Sequence, residues 1–166
     1  MPFYQSLAAA GFESLWYWVL HLVVWTMACY RTLGVPLDML LRARREPVAA
    51  ERVDLLARLT VARIVGIYDR AGPAIAAVSG FLLACLAGFG FGSGIEAAQA
   101  AFAIALPFAG IAYSKLRLAL FLSRRRISGP RLVLMLARRR MWHQMIALLA
   151  ILGAAAVALN IRPPMP

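Results

Sequence analysis

The chain has 166 residues, 63% of them hydrophobic and only 15% charged, yet it carries a net charge of +11. Its mean hydropathy is +0.75 and its isoelectric point lies near 11.2. A soluble domain averages about half apolar and about a quarter charged, so the composition argues against one. The basic excess by itself would suggest nucleic acid, but nucleic-acid modules do not carry several long uncharged apolar runs, so no nucleic-acid partner is expected.

Four such runs occur here, at about residues 13–32, 73–93, 97–122 and 141–161. Each approaches the roughly 20 residues needed to carry a helix across about 30 Å of hydrocarbon. The ~10-residue alternating segments of a membrane β-barrel are absent, and lipid satisfies no backbone hydrogen bonds. The expectation is an all-α polytopic membrane protein, one integral domain built as a four-helix bundle of transmembrane spans.

The first run reads LWYWVLHLVVWTMACYR from Leu15. Residues 1–14 contain no Lys or Arg, unlike the charged start of a secretory signal, so an uncleaved span is expected. Trp16, Tyr17 and Trp18 suit an aromatic belt at the outer boundary. His21 lies near mid-span with Tyr17 and Trp25 four residues away on either side. An ionisable residue at that depth invites a functional reading, as a haem or chlorin ligand or a proton relay. The commoner role is a hydrogen-bonded histidine inside a bundle, and no cofactor is assigned. His143, the other histidine, falls about 12 Å nearer the opposite face at helical rise, which disfavours a bis-histidine pair.

The segment 33–72 contains two helical stretches. A short one, Leu37 to Arg45, follows Pro36. The other, from Glu51 to Arg70, places Val53, Leu56, Ala57, Thr60, Val61, Ile64, Ile67 and Tyr68 on one side and most charges on the other. A basic helix with an apolar face beside a span is expected to lie along the membrane interface, ending at Gly72-Pro73; the alternative is a plain cytoplasmic extension of span two. In the second span the glycines from Gly88 to Gly94 read as a flexible or closely packed outer end. Pro107 should kink the third span. The segment 123–140 is acid-free, turns at Gly129-Pro130 and continues from Arg131 as a helix directed into the fourth span.

Charge placement sets the threading. Arg31, Arg42, Arg44, Arg45, Arg52, Arg58, Arg63 and Arg70 lie between spans one and two. Lys115, Arg117, Arg124, Arg125, Arg126, Arg131, Arg138, Arg139 and Arg140 cluster around the connection of spans three and four. Only Arg162 lies elsewhere. The positive-inside rule makes both connections cytoplasmic and both termini periplasmic in a bacterial inner membrane. Arg42, Arg44, Arg45, Arg124, Arg125, Arg126, Arg138, Arg139 and Arg140 are the expected contacts to anionic lipid head groups, each worth about 1 kcal/mol near the surface. Lys115 and Arg117 are expected to snorkel.

Small-residue stripes at four-residue spacing (Gly80, Ala84 and Gly88 in span two, alanines in spans three and four) predict a tight bundle. Cys29 and Cys85 lie within spans, without C-x-x-C spacing, and read as packing thiols. Convergent catalytic motifs are missing, so an enzyme is not expected. A proton-coupled carrier is disfavoured because Glu13 and Glu96 sit at span ends.

The stretches LWYWVLHLVVW, LGVPLDMLLRARR and GIEAAQAAFAIALPF together resemble a small family of four-span alphaproteobacterial proteins, often catalogued as "component of SufBCD complex". The resemblance covers most of the chain and implies a link to iron–sulfur cluster assembly, with no functional residue to carry over. From the residues themselves the expected function is that of a non-catalytic inner-membrane accessory, assembly or scaffold subunit. It would act with other membrane subunits or by self-association. The alternatives are a haem- or pigment-binding protein using His21 and a small transporter or channel.

Overall fold

A computed structural model describes residues 11–161, apart from residues 13 and 126. Helix α1 spans Leu15–Tyr30 and leads into a two-residue antiparallel pair, β1 (Arg31–Thr32) with β2 (Val35–Pro36). Then come α2 (Leu37–Arg42), α3 (Pro47–Ala87), one π turn (Gly88–Gly92), α4 (Glu96–Arg124) and α5 (Pro130–Ile161). The architecture is helical apart from that bridge. Three stretches, Pro47–Gly92, Glu96–Arg124 and Pro130–Leu159, are long and apolar enough to cross a membrane. The apolar α1 has 16 residues, about 24 Å at helical rise, less than the ~30 Å of a hydrocarbon core.

Of the two forms expected for residues 51–70, the separate interfacial helix ended by Gly72-Pro73 is corrected and the continuous one is found: the segment is the first half of α3, which runs unbroken for 41 residues with Pro73 inside it, about 62 Å. An internal proline costs about 3 kcal/mol through its missing N–H and its ring. Packing on the N-terminal side outweighs that cost. Val53, Ala57 and Val61 are buried against Leu33, Val35, Leu40, Leu118, Leu132 and Leu136. Gly72 is buried too, and a Cβ there would meet the Tyr68 ring at 2.8 Å. The first part of the apolar face expected to enter lipid is therefore spent on protein, with Leu56 and Ile64 at its border, while Ile67 and Tyr68 remain exposed. The segment from Arg131, by contrast, does run directly into α5.

Three clusters stack along α1, α4 and α5. Phe12, Tyr17, Ala100 and Ala154 form one end. Trp25, Ala28, Cys29, Ile111, Ala147 and Ala150 form the middle. The cluster holding Leu33, Val53, Leu118 and Leu136 forms the basic end. Each buried leucine or valine in it contributes about 1.5–3 kcal/mol by removal from water.

Side chains from distant elements cap the helix ends. Both Asp54 carboxylate oxygens accept from the Gly129 N–H at 3.0 Å, just before α5 begins. Glu96 Oε1 accepts from the Phe12 N–H at 2.8 Å, and the Trp18 indole donates to the Phe12 carbonyl at 2.9 Å. The Gln99 amide donates to the Gly90 carbonyl at 2.8 Å, and a Cβ at Gly90 would come within 3.0 Å of the Gln99 nitrogen. Close packing in the glycine-rich run is thus confined to Gly90; Gly88, Gly92 and Gly94 are exposed, and a Cβ there meets nothing within 4 Å. Leu33 (φ 49°) and Gly34 (φ 77°) both adopt positive φ, as a two-residue type I′ hairpin turn requires.

Candidate functional site

The polar groups inside the bundle come from α1, α4 and α5. His21 is completely buried. Its Nδ1 lies 3.1 Å from the Tyr17 hydroxyl, and its Nε2 has no hydrogen-bond partner. The helical repeat places residues four apart on one face, and the rings of Tyr17 and Trp25 stand 5.3 and 5.8 Å from the imidazole, with Trp18 at 6.0 Å. The free nitrogen has no accessible surface, whereas an axial ligand must present that nitrogen to a cavity the size of a macrocycle. The geometry is that of an enclosed, singly hydrogen-bonded side chain.

His143 on α5 is buried to the same degree. Its Nε2 lies 3.1 Å from Ser114 Oγ, and Ser114 Oγ accepts from Arg139 Nη1 at 3.1 Å. Arginine only donates, so the order that satisfies all three groups runs from Arg139 to Ser114 to His143 Nε2, which leaves the buried His143 Nδ1 without a partner. One residue along α4, Lys115 donates to the Ala28 carbonyl at 3.0 Å. One residue along α5, Arg140 donates to the Tyr30 carbonyl at 2.7 Å.

Those two carbonyls belong to the last turn of α1, which has no basic residue of its own. The last four carbonyls of a helix lack intrahelical partners and carry the negative end of its dipole, so cations there are favourable. The hairpin at Arg31 ends α1 abruptly. Lys115 and Arg140 supply from two other helices the caps that the local sequence lacks. Two expectations are corrected here. Lys115 does not snorkel outward but is held, partly buried, against α1. Arg140 is buried with 8% of its surface accessible and does not face lipid head groups.

The other expected head-group contacts divide by exposure. Arg42, Arg44, Arg45, Arg124, Arg125 and Arg138 are exposed, and Arg139 is half-buried. Arg125 lies over the Phe121 ring, 5.1 Å from its centroid. Arg126 lies outside the described residues. Ser114, Lys115 and His143 were not singled out as a group from the sequence. The available signal was an adjacent Ser-Lys pair inside an apolar helix, a costly pair to leave in lipid.

Among the described residues no group of three or more His, Cys, Asp or Glu side chains is placed to hold a metal ion. Cys29 is buried and Cys85 half-buried, and both are free thiols. A groove of about 400 Å³ between α4 and α5 is lined by apolar side chains and Gln99. It contains none of the polar layer. No family model, curated protein or solved structure matches the chain.

Proposed function

We propose that the chain is a non-catalytic integral inner-membrane protein that crosses the bilayer four times, with both termini periplasmic, and serves as an accessory or scaffold subunit of a larger membrane assembly. For α1 as the fourth crossing, support comes from its packing alongside α4 and α5 through Tyr17 and Trp25, with Leu15, Trp16, Leu20, Leu22 and Met27 on its open side. The observation that carries the accessory reading is the outward face of α3. Gly80, Ala84 and Gly88 lie on exposed surface there. A Cβ added at either glycine meets nothing within 4 Å. Small residues at four-residue spacing let helix backbones approach closely, and within this chain that stripe is unused.

The polar layer supports a structural role for its members, because each of these hydrogen bonds holds one helix to another or to its own turn. The discriminating experiment is purification in mild detergent at native expression, followed by identification of co-purifying polypeptides and by photo-crosslinking from position 84. Crosslinks to another membrane subunit or to a second copy are the expected result. Iron–sulfur assembly proteins among the partners would extend the reading in the direction of the family resemblance. A monodisperse monomer with no crosslink from position 84 would sink the accessory reading.

A further inference from the structure

The inner membrane reading, on which the following rests, leaves one groove unexplained at the basic end of the molecule. It has a volume of about 460 Å³ and lies between α3 and the end of α4, closed below by Leu132 of α5. Val61, Val65, Leu122, Ile127 and Leu132 give it an apolar floor, and Arg58, Asp69, Ser123 and Arg125 are its charged or hydroxyl-bearing lining. The level of this groove along the helices is defined by charge. From residue 71 to the end of α3 there is no charge, and Asp69 and Arg70 are the last charges before that stretch. On α4 the first charges are Lys115 and Arg117, and the stretch that follows them gives out between Leu122 and Arg124. The groove therefore lies on the basic side of the junction, with Asp69 at its span-side rim.

Two exposed guanidiniums reach this groove from different elements, Arg58 on α3 and Arg125 just past the end of α4. Guanidinium is the side chain best matched to a phosphate diester, through paired N–H donors. Arg125 is already positioned by its stacking on Phe121. Ser123 Oγ donates to the Leu120 carbonyl at 2.9 Å, so its proton is used within α4 and the two guanidiniums are the donors left for a phosphate. Asp69 stands at the span-side rim, eleven positions from Arg58, or about 16 Å at helical rise. That distance exceeds the ~8 Å screening length at physiological salt, so Asp69 does not neutralise the Arg58 end. Gly66 lies within the lining, and a Cβ added there meets nothing within 4 Å.

We propose that this groove is a specific binding site for one anionic phospholipid, with the phosphate held by Arg58 and Arg125 and an acyl chain laid against Val61, Val65 and Leu122. Basic pockets between helices at the cytoplasmic boundary are suited to such head groups. The site goes beyond the diffuse attraction expected of the exposed arginines, because it pairs two cations with an apolar floor. Arg58 was not among the head-group contacts read from the sequence.

The test is native mass spectrometry of the full chain released from nanodiscs of phosphatidylglycerol mixed with phosphatidylcholine. The expected result is one retained phosphatidylglycerol per chain, not displaced by millimolar inorganic phosphate. Gly66→Phe, whose Cβ has open space and whose ring would occupy the groove, and the double variant Arg58→Gln/Arg125→Gln should each lower that retention about tenfold. Arg52→Gln/Arg63→Gln, which removes equal charge from exposed positions outside the lining, should leave it unchanged. Equal retention of phosphatidylcholine, displacement by free phosphate, or an equal loss in the Arg52/Arg63 control would overturn the proposal. So would unchanged retention in a Gly66→Phe protein of wild-type melting temperature; if that variant does not fold, the arginine pair decides alone. Extraction of the wild-type chain from membranes by alkaline carbonate would instead refute the membrane reading itself. An integral chain that retains no lipid refutes only the site.

Discussion

His21 and Gly34 show how differently single positions are constrained. His21 is enclosed by aromatic rings and makes one hydrogen bond, to Tyr17. Hydrogen bonds inside membrane bundles average well under 2 kcal/mol, so His21→Asn should cost about 1 kcal/mol in a detergent melt. A purified wild-type protein with a Soret or near-infrared band that vanishes in His21→Leu would show instead that the residue is a ligand. Gly34 is bound by both conformation and space: its φ is +77°, and an added Cβ would collide with Thr60 Oγ1. Gly34→Ala should destabilise by about 1–2 kcal/mol from the left-handed backbone alone, with the collision added. Thr60→Ala should recover the collision part only, so the double variant should melt between Gly34→Ala and wild type. Additive losses would show that residues 34 and 60 are not in contact.

At the level of elements, the ends of helices are held by residues far away in the chain. Asp54, in the first half of α3, caps the start of α5 through the Gly129 N–H. Asp54→Ala should cost about 1 kcal/mol, the usual loss for a missing N-terminal cap, while Asp54→Asn should keep most of it. The opposite end of α1 depends on Lys115 and Arg140. Lys115→Met removes the Lys115 hydrogen bond from the Ala28 carbonyl, at a cost of about 1–3 kcal/mol, partly offset because a half-buried charge is removed. The net effect should appear as fraying of that turn. In a Cys85→Ser background, Cys29, which is buried beside Ala28, should then react faster with a thiol reagent than in the parent. Unchanged alkylation would mean that the turn holds without its cation. Of this end-capping the sequence revealed nothing, because each contact joins residues 75 to 110 positions apart.

For the whole molecule the decisive quantity is the distribution of cations. Reporter fusions after Arg45 and after Arg126 should read cytoplasmic, and one after Pro166 periplasmic; a cytoplasmic C-terminus would force an odd number of crossings. Replacing Arg124, Arg125 and Arg126 with Gln should leave that orientation intact, since six cations remain in the same region, whereas loss of all nine should disturb insertion of α4 and α5. The apolar helices and the segregation of arginine to alternate connections were legible from the chain alone, because length, hydropathy and charge are local sums that tertiary contacts do not alter. The helical continuation of residues 131–140 into α5 was legible for the same reason. Which apolar face meets lipid and which meets protein was not legible, since hydropathy scores both alike. Only tertiary packing could carry α3 through Pro73, by giving Val53, Ala57 and Val61 a core to enter. Tertiary packing also turned Lys115 and Arg140 inward, because the carbonyls they cap lie where α1 is cut short against α4 and α5.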